Sequence, residues 1–159
     1  MKRSVFTLAL VAPFLALAGT APEYTVVDVP NTPSKFGTRQ IDGMDFLPDG
    51  RLVVCQPSGE VFFYTPATQK WERFAAGLHN PLGLIAVSNS ELIISQRPEG
   101  TRVRDTDGDG KADDYEVITD QFGVSGNYHE FHFTPVQDKD GSLYFALGCV
   151  TATTLVVGR

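Results

Sequence analysis

The sequence predicts an all-β protein built from repeated strand–turn–strand units. After residue 21 the apolar segments are short, rich in β-branched and aromatic residues, and bounded by Gly, Pro, Asp and Asn, which is typical of strands and turns. A strand–turn–strand unit recurs at residues 43–54, 83–94 and 129–145. Equivalent leucines of these units lie 40 and 51 residues apart, at Leu52, Leu92 and Leu143. This spacing is close to the about 40–50 residues of a four-stranded propeller blade, so the repeats indicate a β-propeller.

Ten strands are predicted, and they group into blades. The first four form one blade, with reversing turns at Asp49-Gly50 and Ser58-Gly59. The next four form a second blade, and the last two form the inner half of a third. Because a propeller closes with about four to eight blades, two and a half blades indicate the N-terminal part of a longer protein. The predicted strands are residues 43–46, 51–56, 60–64, 71–75, 82–87, 91–96, 101–104, 115–119, 130–134 and 142–147.

The chain divides into three predicted parts: a signal peptide at 1–18, a leader with the first strand region at 19–40, and the partial propeller at 41–159. Positive Lys2 and Arg3 precede a mainly apolar run that ends in Ala16-Leu17-Ala18, the pattern that signal peptidase cleaves. The run is shorter than the roughly 20 residues that span a bilayer. We therefore expect export to the periplasm or the extracellular space, with an uncleaved anchor as the alternative.

Charge and cysteine content narrow the expected partners and chemistry. The chain carries 13 Lys and Arg against 19 Asp and Glu, a net charge of −6. An acidic surface repels phosphate backbones, so nucleic acid is not an expected partner. An oxidising compartment would permit a disulfide between Cys55 and Cys149, but the sequence leaves their pairing open because it gives no distance between them.

A calcium loop is predicted at residues 105–116, which match the pattern D-x-D-x-D-G-x5-E. Carboxylates at alternate positions converge on one hard cation, and Gly110 permits the sharp bend between them. Because both flanks are predicted strands, we expect the loop inside a β-hairpin, with a structural role. The alternative is a solvated acidic turn that binds no metal. The candidate ligands are Asp105, Asp107, Asp109, Lys111 through its carbonyl, Asp113 and Glu116.

A second candidate site surrounds His129, at the start of a predicted inner strand. The period-2 alternation of a strand would place His129 and His132 on opposite faces, which disfavours a shared metal. A histidine at the mouth of a propeller channel has a pKa suited to a general base. The alternative is polar packing between blades. Arg97, in a polar loop, is open to two similar interpretations, contact with an anionic ligand or a turn role.

Four segments together resemble the family of membrane-bound dehydrogenases among the soluble glucose and sorbosone dehydrogenase-like propellers. They are residues 43–50, 78–84, 102–113 and 123–130, and the resemblance spans about residues 36–148. It implies a six-bladed propeller, often fused to a C-terminal c-type cytochrome domain. It also implies that His129 is the base that takes a sugar hydroxyl proton as hydride moves to pyrroloquinoline quinone. Tyr128 and Glu130 depart from the Asn and Gln of the soluble glucose dehydrogenases.

Two main functions follow as expectations. The first is a quinoprotein-type dehydrogenase of a sugar or polyol, in which this N-terminal part alone is inactive because the basic residues that hold the quinone lie in later blades. The second is a non-catalytic, calcium-stabilised propeller module that binds carbohydrate or protein. A lactonase-like hydrolase with its metal in the central channel is a third, weaker alternative.

Overall fold

A computed structural model describes residues 25–37, 39–121, 124, 127 and 129–148, together with the backbone of 153–158. The predicted signal peptide and Cys149 lie outside these residues. The described part of the chain is all-β and contains no helix. It also holds no helix long and apolar enough to cross a membrane.

In the part of the chain that the structure describes, twelve strands form three successive antiparallel sheets. The first sheet is a meander of β1 (Gly43–Phe46), β2 (Leu52–Cys55), β3 (Val61–Thr65) and β4 (Lys70–Ala75). The second sheet is a meander of β5 (Gly83–Ala86), β6 (Glu91–Ser95), β7 (Gly100–Arg104) and β8 (Asp114–Thr119). The third contains β9 (Phe131–His132), β10 (Val136–Gln137), β11 (Leu143–Gly148) and β12 (Thr153–Gly158).

The sheets pack face to face, with the second sheet in the middle. The strand alternation of β6 explains this, because successive side chains point to opposite faces. Leu92 and Ile94 join the core shared with the first sheet, whereas Ile93 packs with Phe145 and Leu147 of the third sheet. Burial on both faces therefore comes from a continuous apolar run in the sequence of β6.

Glycines let the first strands of neighbouring sheets approach closely. A Cβ atom added at Gly43 would lie 2.9 Å from the Cα of Gly83, and one added at Gly83 would lie 2.2 Å from the Cα of Thr134. β1 and β5 are accordingly in contact. The three sheets thus converge along the edge that carries their first strands, and the segments that precede those strands meet there.

The third sheet differs from the prediction in two ways. The strand predicted at 130–134 is wrong in extent, because β9 and β10 pair with opposite ends of β11 on the same side. Pro135 separates them, and proline has no amide hydrogen to donate to the ladder. β12, which was not predicted, pairs with the other side of β11. The third sheet therefore contains four strands where the sequence predicted two.

The leader segment lies across the free face of the first sheet. The Trp71 indole donates a 2.7 Å hydrogen bond to the Pro30 carbonyl. The Ser34 hydroxyl donates a 2.5 Å bond to the carboxylate of Glu60, which is only 1% exposed. This face is apolar, and its buried side chains are Val54, Phe62 and Tyr64. Residues 30–34 thus form part of the folded unit.

Candidate functional site

The predicted calcium loop lies in a β-hairpin, as expected from its flanks. It connects β7 to β8 over residues 105–113, which we call the acidic loop, and the two strands pair antiparallel. Gly108 and Gly110 have φ values of 80° and 86°, a left-handed conformation that L side chains disfavour. These two residues let the chain coil tightly enough for alternate side chains to converge.

Three of the predicted ligands come together in this loop. Carboxylate oxygens of Asp105, Asp107 and Asp109 all lie within 4.8 Å of one another. The Asp105 oxygens accept hydrogen bonds from the amides of Gly108, at 2.7 Å, and Gly110, at 2.9 Å, which fixes their orientation. Three hard carboxylate ligands on a turn with positive-φ glycines form a donor set suited to calcium.

Asp113 and Lys111 lie at the margin of this cluster. The Asp113 carboxylate accepts from the amide and the hydroxyl of Thr106, at 2.9 and 2.8 Å. These bonds stabilise the charged form and lower the pKa of Asp113 below its usual value. The Lys111 ammonium lies 3.7 Å from an oxygen of Asp109. Asp113 therefore connects the end of the acidic loop to its beginning at Thr106.

Glu116 lies apart from the three aspartates, on strand β8. Its carboxylate is 3.2 Å from Arg102 and 3.1 Å from Arg104, both on the paired strand β7. Arg104 also contacts Asp114 at 2.6 Å, and this carboxylate is the main cause of the raised pKa of Arg104. The register of the hairpin thus directs Glu116 to arginines, and the structure does not bring it to the other predicted ligands.

The acidic loop joins the second sheet to the first. The amide of Ala112 donates a 2.7 Å hydrogen bond to the carbonyl of Phe74, at the end of β4. The Tyr115 hydroxyl donates to the Ala76 carbonyl at 3.3 Å, and Ala112 packs against the core between the two sheets. A cation that stiffens this loop would therefore also stiffen the contact between neighbouring sheets.

A second candidate site lies where the three sheets converge. It is a cleft of about 210 Å³, which we call the mouth cleft. Its lining comes from the segments that precede β1 and β5, from the β2–β3 and β6–β7 turns, and from β9. Chain segments far apart in sequence thus form one small site with both polar and apolar walls. The lining residues are Gln40, Asp42, Pro57, Asn80, Leu82, Arg97 and Phe131.

Asp42 is the acidic residue of this cleft, and the sequence analysis did not identify it. Burial raises its pKa, and a 2.6 Å hydrogen bond from the Gln40 amide partly opposes that effect. Its backbone amide donates to the Cys55 carbonyl, which aligns it with the start of β1. The signal in the sequence was an acid directly before the strand predicted at 43–46.

Arg97 lines the same cleft and also stabilises its wall. Its backbone amide donates a 2.9 Å bond to the His79 carbonyl, and its guanidinium donates a 2.6 Å bond to the Asn127 carbonyl. Of the two roles considered for Arg97, the structure supports the turn role directly. Contact between Arg97 and a ligand stays a prediction, and the position of Arg97 in the cleft is compatible with it.

His129 and His132 occupy different environments. His129 is exposed, in a turn before β9, and its amide donates to the Asn127 side chain at 3.0 Å. His132 is 2% exposed, and its Nδ1 atom lies 3.0 Å from the Gln96 carbonyl oxygen. Burial lowers the pKa of His132. His129 thus lies on an exposed turn two residues before the cleft-lining Phe131, while His132 is buried against the β6–β7 turn.

Comparisons with known proteins give one family and a distant structural neighbour. The family model described as "Domain of unknown function (DUF7133)" matches residues 67–157. No curated protein matches the chain. Among solved structures, the extracellular domain of a hybrid two-component system from B. thetaiotaomicron is similar, with a TM-score of 0.52 and 12% identity. The match covers 86% of this chain and 19% of that chain, and at this identity it shows the fold alone.

Proposed function

Because the chain belongs to the family described as a domain of unknown function (DUF7133), we propose a function from its own geometry. The chain is part of an exported, calcium-stabilised β-propeller module that binds a sugar or polyol in the mouth cleft. One observation carries this proposal. Three successive sheets contribute Asp42, Asn80 and Phe131 to a single cleft, although these residues are far apart in sequence.

The propeller assignment rests on how the sheets repeat and pack. Two four-stranded meanders follow one another in the chain, and a third sheet begins in the same way. Their faces pack together and their first strands converge, which is the arrangement of neighbouring propeller blades. The resemblance of the sequence to six-bladed dehydrogenase-like propellers supports the same architecture.

Export rests on the N-terminal sequence and on the structural neighbour. Lys2, Arg3 and the apolar run that follows form the pattern of a signal peptide. The similar solved structure is an extracellular domain. Calcium is plentiful outside cells, so a structural calcium loop suits an exported protein.

The chemistry of the mouth cleft suits a small polyhydroxylated ligand. A sugar hydroxyl both donates and accepts hydrogen bonds. The Asp42 carboxylate accepts, the Arg97 guanidinium donates, and the Asn80 amide does both. Leu82 and Phe131 offer apolar surface to the C–H faces of a ring. The volume of about 210 Å³ lies below the range for drug-sized ligands, which indicates a ligand of about one sugar unit.

Pyrroloquinoline quinone does not fit the described residues. The quinone is a tricarboxylate, whereas the charged residues of the mouth cleft are one acid, Asp42, and one cation, Arg97. A partly buried acid beside a polyanion would add repulsion. The dehydrogenase is therefore the second candidate. The resemblance of the segment around His129 to the soluble glucose dehydrogenases favours it, since His129 as a base could take a hydroxyl proton from a bound sugar.

Ligand titration tests the proposal. D-glucose, D-sorbitol and myo-inositol are added to the calcium-loaded chain and followed by NMR and calorimetry. We expect at least one to bind and to shift the signals of Asn80 and Phe131. Asp42→Asn and Arg97→Met should weaken that binding at least about tenfold, because each removes a charged hydrogen bond. Asp120→Asn, a change at an exposed carboxylate, is the control. Absence of binding by all three, or equal weakening by the control, would contradict the proposal.

The second candidate has a test of its own. In the complete gene product supplied with quinone and sugar, His129→Gln should lower turnover by at least about 10²-fold if His129 is a general base. A His129→Gln variant as active as wild type, or a wild-type protein that shows no turnover, would leave the binding module as the function.

A further inference from the structure

Gln96 lies at a junction between the second and third sheets. It is 6% exposed, so its polar groups need partners within the protein. Its side-chain oxygen accepts a 2.6 Å bond from the amide of His79, in the segment that precedes β5. Its side-chain nitrogen donates to Glu99 at 3.0 Å and to Thr101 at 2.7 Å. One glutamine thus ties the β6–β7 turn to the segment that leads into β5.

His132 connects this junction to the third sheet. Its Nδ1 atom lies 3.0 Å from the backbone carbonyl oxygen of Gln96. A carbonyl oxygen only accepts hydrogen bonds, so Nδ1 must carry the proton. The neutral ring is therefore held in the Nδ1–H tautomer by a buried contact between β9 and the end of β6.

The segment held by this contact forms one wall of the mouth cleft. Phe131, next to His132, lines the cleft. Asn127 accepts a bond from the Arg97 guanidinium, and its side chain accepts one from the amide of His129. At the other end of the segment, the Phe133 amide donates to the Ala146 carbonyl of β11. If β9 moved away from Gln96, both Phe131 and the Asn127–Arg97 contact would move with it.

We propose that His132 is the positioning residue of the mouth cleft: its Nδ1–H bond to Gln96 fixes Asn127 and residues 129–133 against the second sheet. The importance of this for ligand binding rests on the proposed function. The contact itself does not, so the two can be tested separately.

The surroundings of His132 make this positioning sensitive to acid. Burial is the main cause of its lowered pKa; the bond to Gln96 and the charge of Glu130 oppose the shift, and the charge of Arg97 adds to it. Another charged group near this junction is Glu99, whose carboxylate accepts a hydrogen bond from the Gln96 side chain. Because the pKa is below 6.5 in the folded protein, a proton binds better to the open form. The part of the positioning that depends on a neutral ring is therefore fully present above pH 6.5 and decreases as the pH falls from 6.5 through the folded pKa.

Amide hydrogen exchange of the full calcium-loaded chain tests the proposal. The reporting amides are those of Arg97 and Phe133, each of which donates to a backbone carbonyl in this region. His132→Phe removes the donor and keeps an aromatic ring. His132→Asn keeps an N–H donor at a similar position and does not titrate. His79→Asn, which changes an exposed imidazole and leaves the backbone bond to Gln96 intact, is the matched control.

At pH 7.5 we expect His132→Phe to lower the protection of both amides about fivefold or more, the effect of one lost hydrogen bond. His132→Asn should restore most of that protection. It should also remove the fall in protection between pH 6.5 and 5 that wild type and His79→Asn show. Unchanged protection in His132→Phe, or the same pH profile in His132→Asn as in wild type, would overturn the proposal.

The test remains decisive if His132→Phe does not fold and if wild type binds no ligand. If His132→Phe does not fold, His132→Asn decides alone, because native protection with a flat pH profile supports positioning and loss of protection at pH 7.5 contradicts it. If D-glucose, D-sorbitol and myo-inositol all fail to bind wild type, the proposed function fails while the exchange result still decides the role of His132.

Discussion

The amide nitrogen of Ala112 donates a 2.7 Å hydrogen bond to the carbonyl oxygen of Phe74. Ala112 belongs to the acidic loop of the second sheet, and Phe74 lies on the last strand of the first sheet. This bond therefore couples a loop with the chemistry of a calcium site to the packing between two sheets. If the loop binds calcium, the ion should stabilise the contact between the two sheets as well as the three aspartates.

The first prediction concerns this coupling. Calcium should slow hydrogen exchange at the Ala112 amide by about tenfold or more, because ligand binding suppresses local opening of the loop. The amide of Thr68, which bonds within the β3–β4 turn, should not respond. Equal slowing at both amides would indicate a global effect on stability and contradict a specific coupling.

The second prediction separates the three aspartates from Glu116. Asp107→Asn should weaken calcium binding at least about tenfold, since it removes one carboxylate charge from the donor set. Glu116→Gln should change the calcium Kd by no more than about threefold, because that carboxylate contacts Arg102 and Arg104 and exposed ion pairs contribute little. Calorimetric titration measures both. If Glu116→Gln weakened calcium binding as much as Asp107→Asn, Glu116 would be a calcium ligand.

The acidic loop was predictable from the sequence only in part. The spacing of Asp105, Asp107 and Asp109 predicted their convergence because all three lie within one turn. The hairpin around them was predicted because both flanking segments were predicted strands. The partners of Glu116 depend on which residues face each other across β7 and β8, and residue spacing does not determine that register.

The mouth cleft was harder to predict for the same reason. Asp42, Arg97 and Phe131 come from three different sheets, and only the packing of those sheets brings them together. The sequence identified His129 and considered Arg97, but it gave no signal for Asp42 beyond its place before a strand. The break between β9 and β10 at Pro135 was predictable in principle, since proline seldom lies inside a paired strand.

The third prediction tests the close approach of the first strands. Gly83→Ala should destabilise the chain by about 1–3 kcal/mol or more, because the new Cβ would overlap Thr134. Urea unfolding gives the change. Gly50→Ala serves as the comparison: Gly50 has a φ of 88° and open space around it, so it reports the backbone cost alone, about 1–2 kcal/mol. A Gly83→Ala variant as stable as wild type would show that the sheets are packed differently.

The fourth prediction follows from Cys55, a buried free thiol. Burial, with a smaller contribution from the charge of Asp42, raises its pKa from 9.0 to about 12. The unfolded chain therefore loses this proton first, and the contribution to stability is complete below pH 9 and lost as pH rises towards 12. Under reducing conditions, wild type should lose stability between about pH 9 and 11 more steeply than Cys55→Ala. Parallel pH curves in urea unfolding would contradict the buried position of the thiol.

Thermal unfolding with and without calcium tests the central claim most directly. At calcium concentrations of about 100 times Kd, binding to the folded state alone should add about 2.7 kcal/mol of stability, a rise of several degrees in Tm. The Asp107→Asn/Asp109→Asn double variant should melt at the same temperature in calcium and in chelator, while the exposed-site control Asp120→Asn should respond like wild type. A wild-type Tm that calcium leaves unchanged, or an equal rise in the double variant, would contradict the account of a calcium-stabilised module.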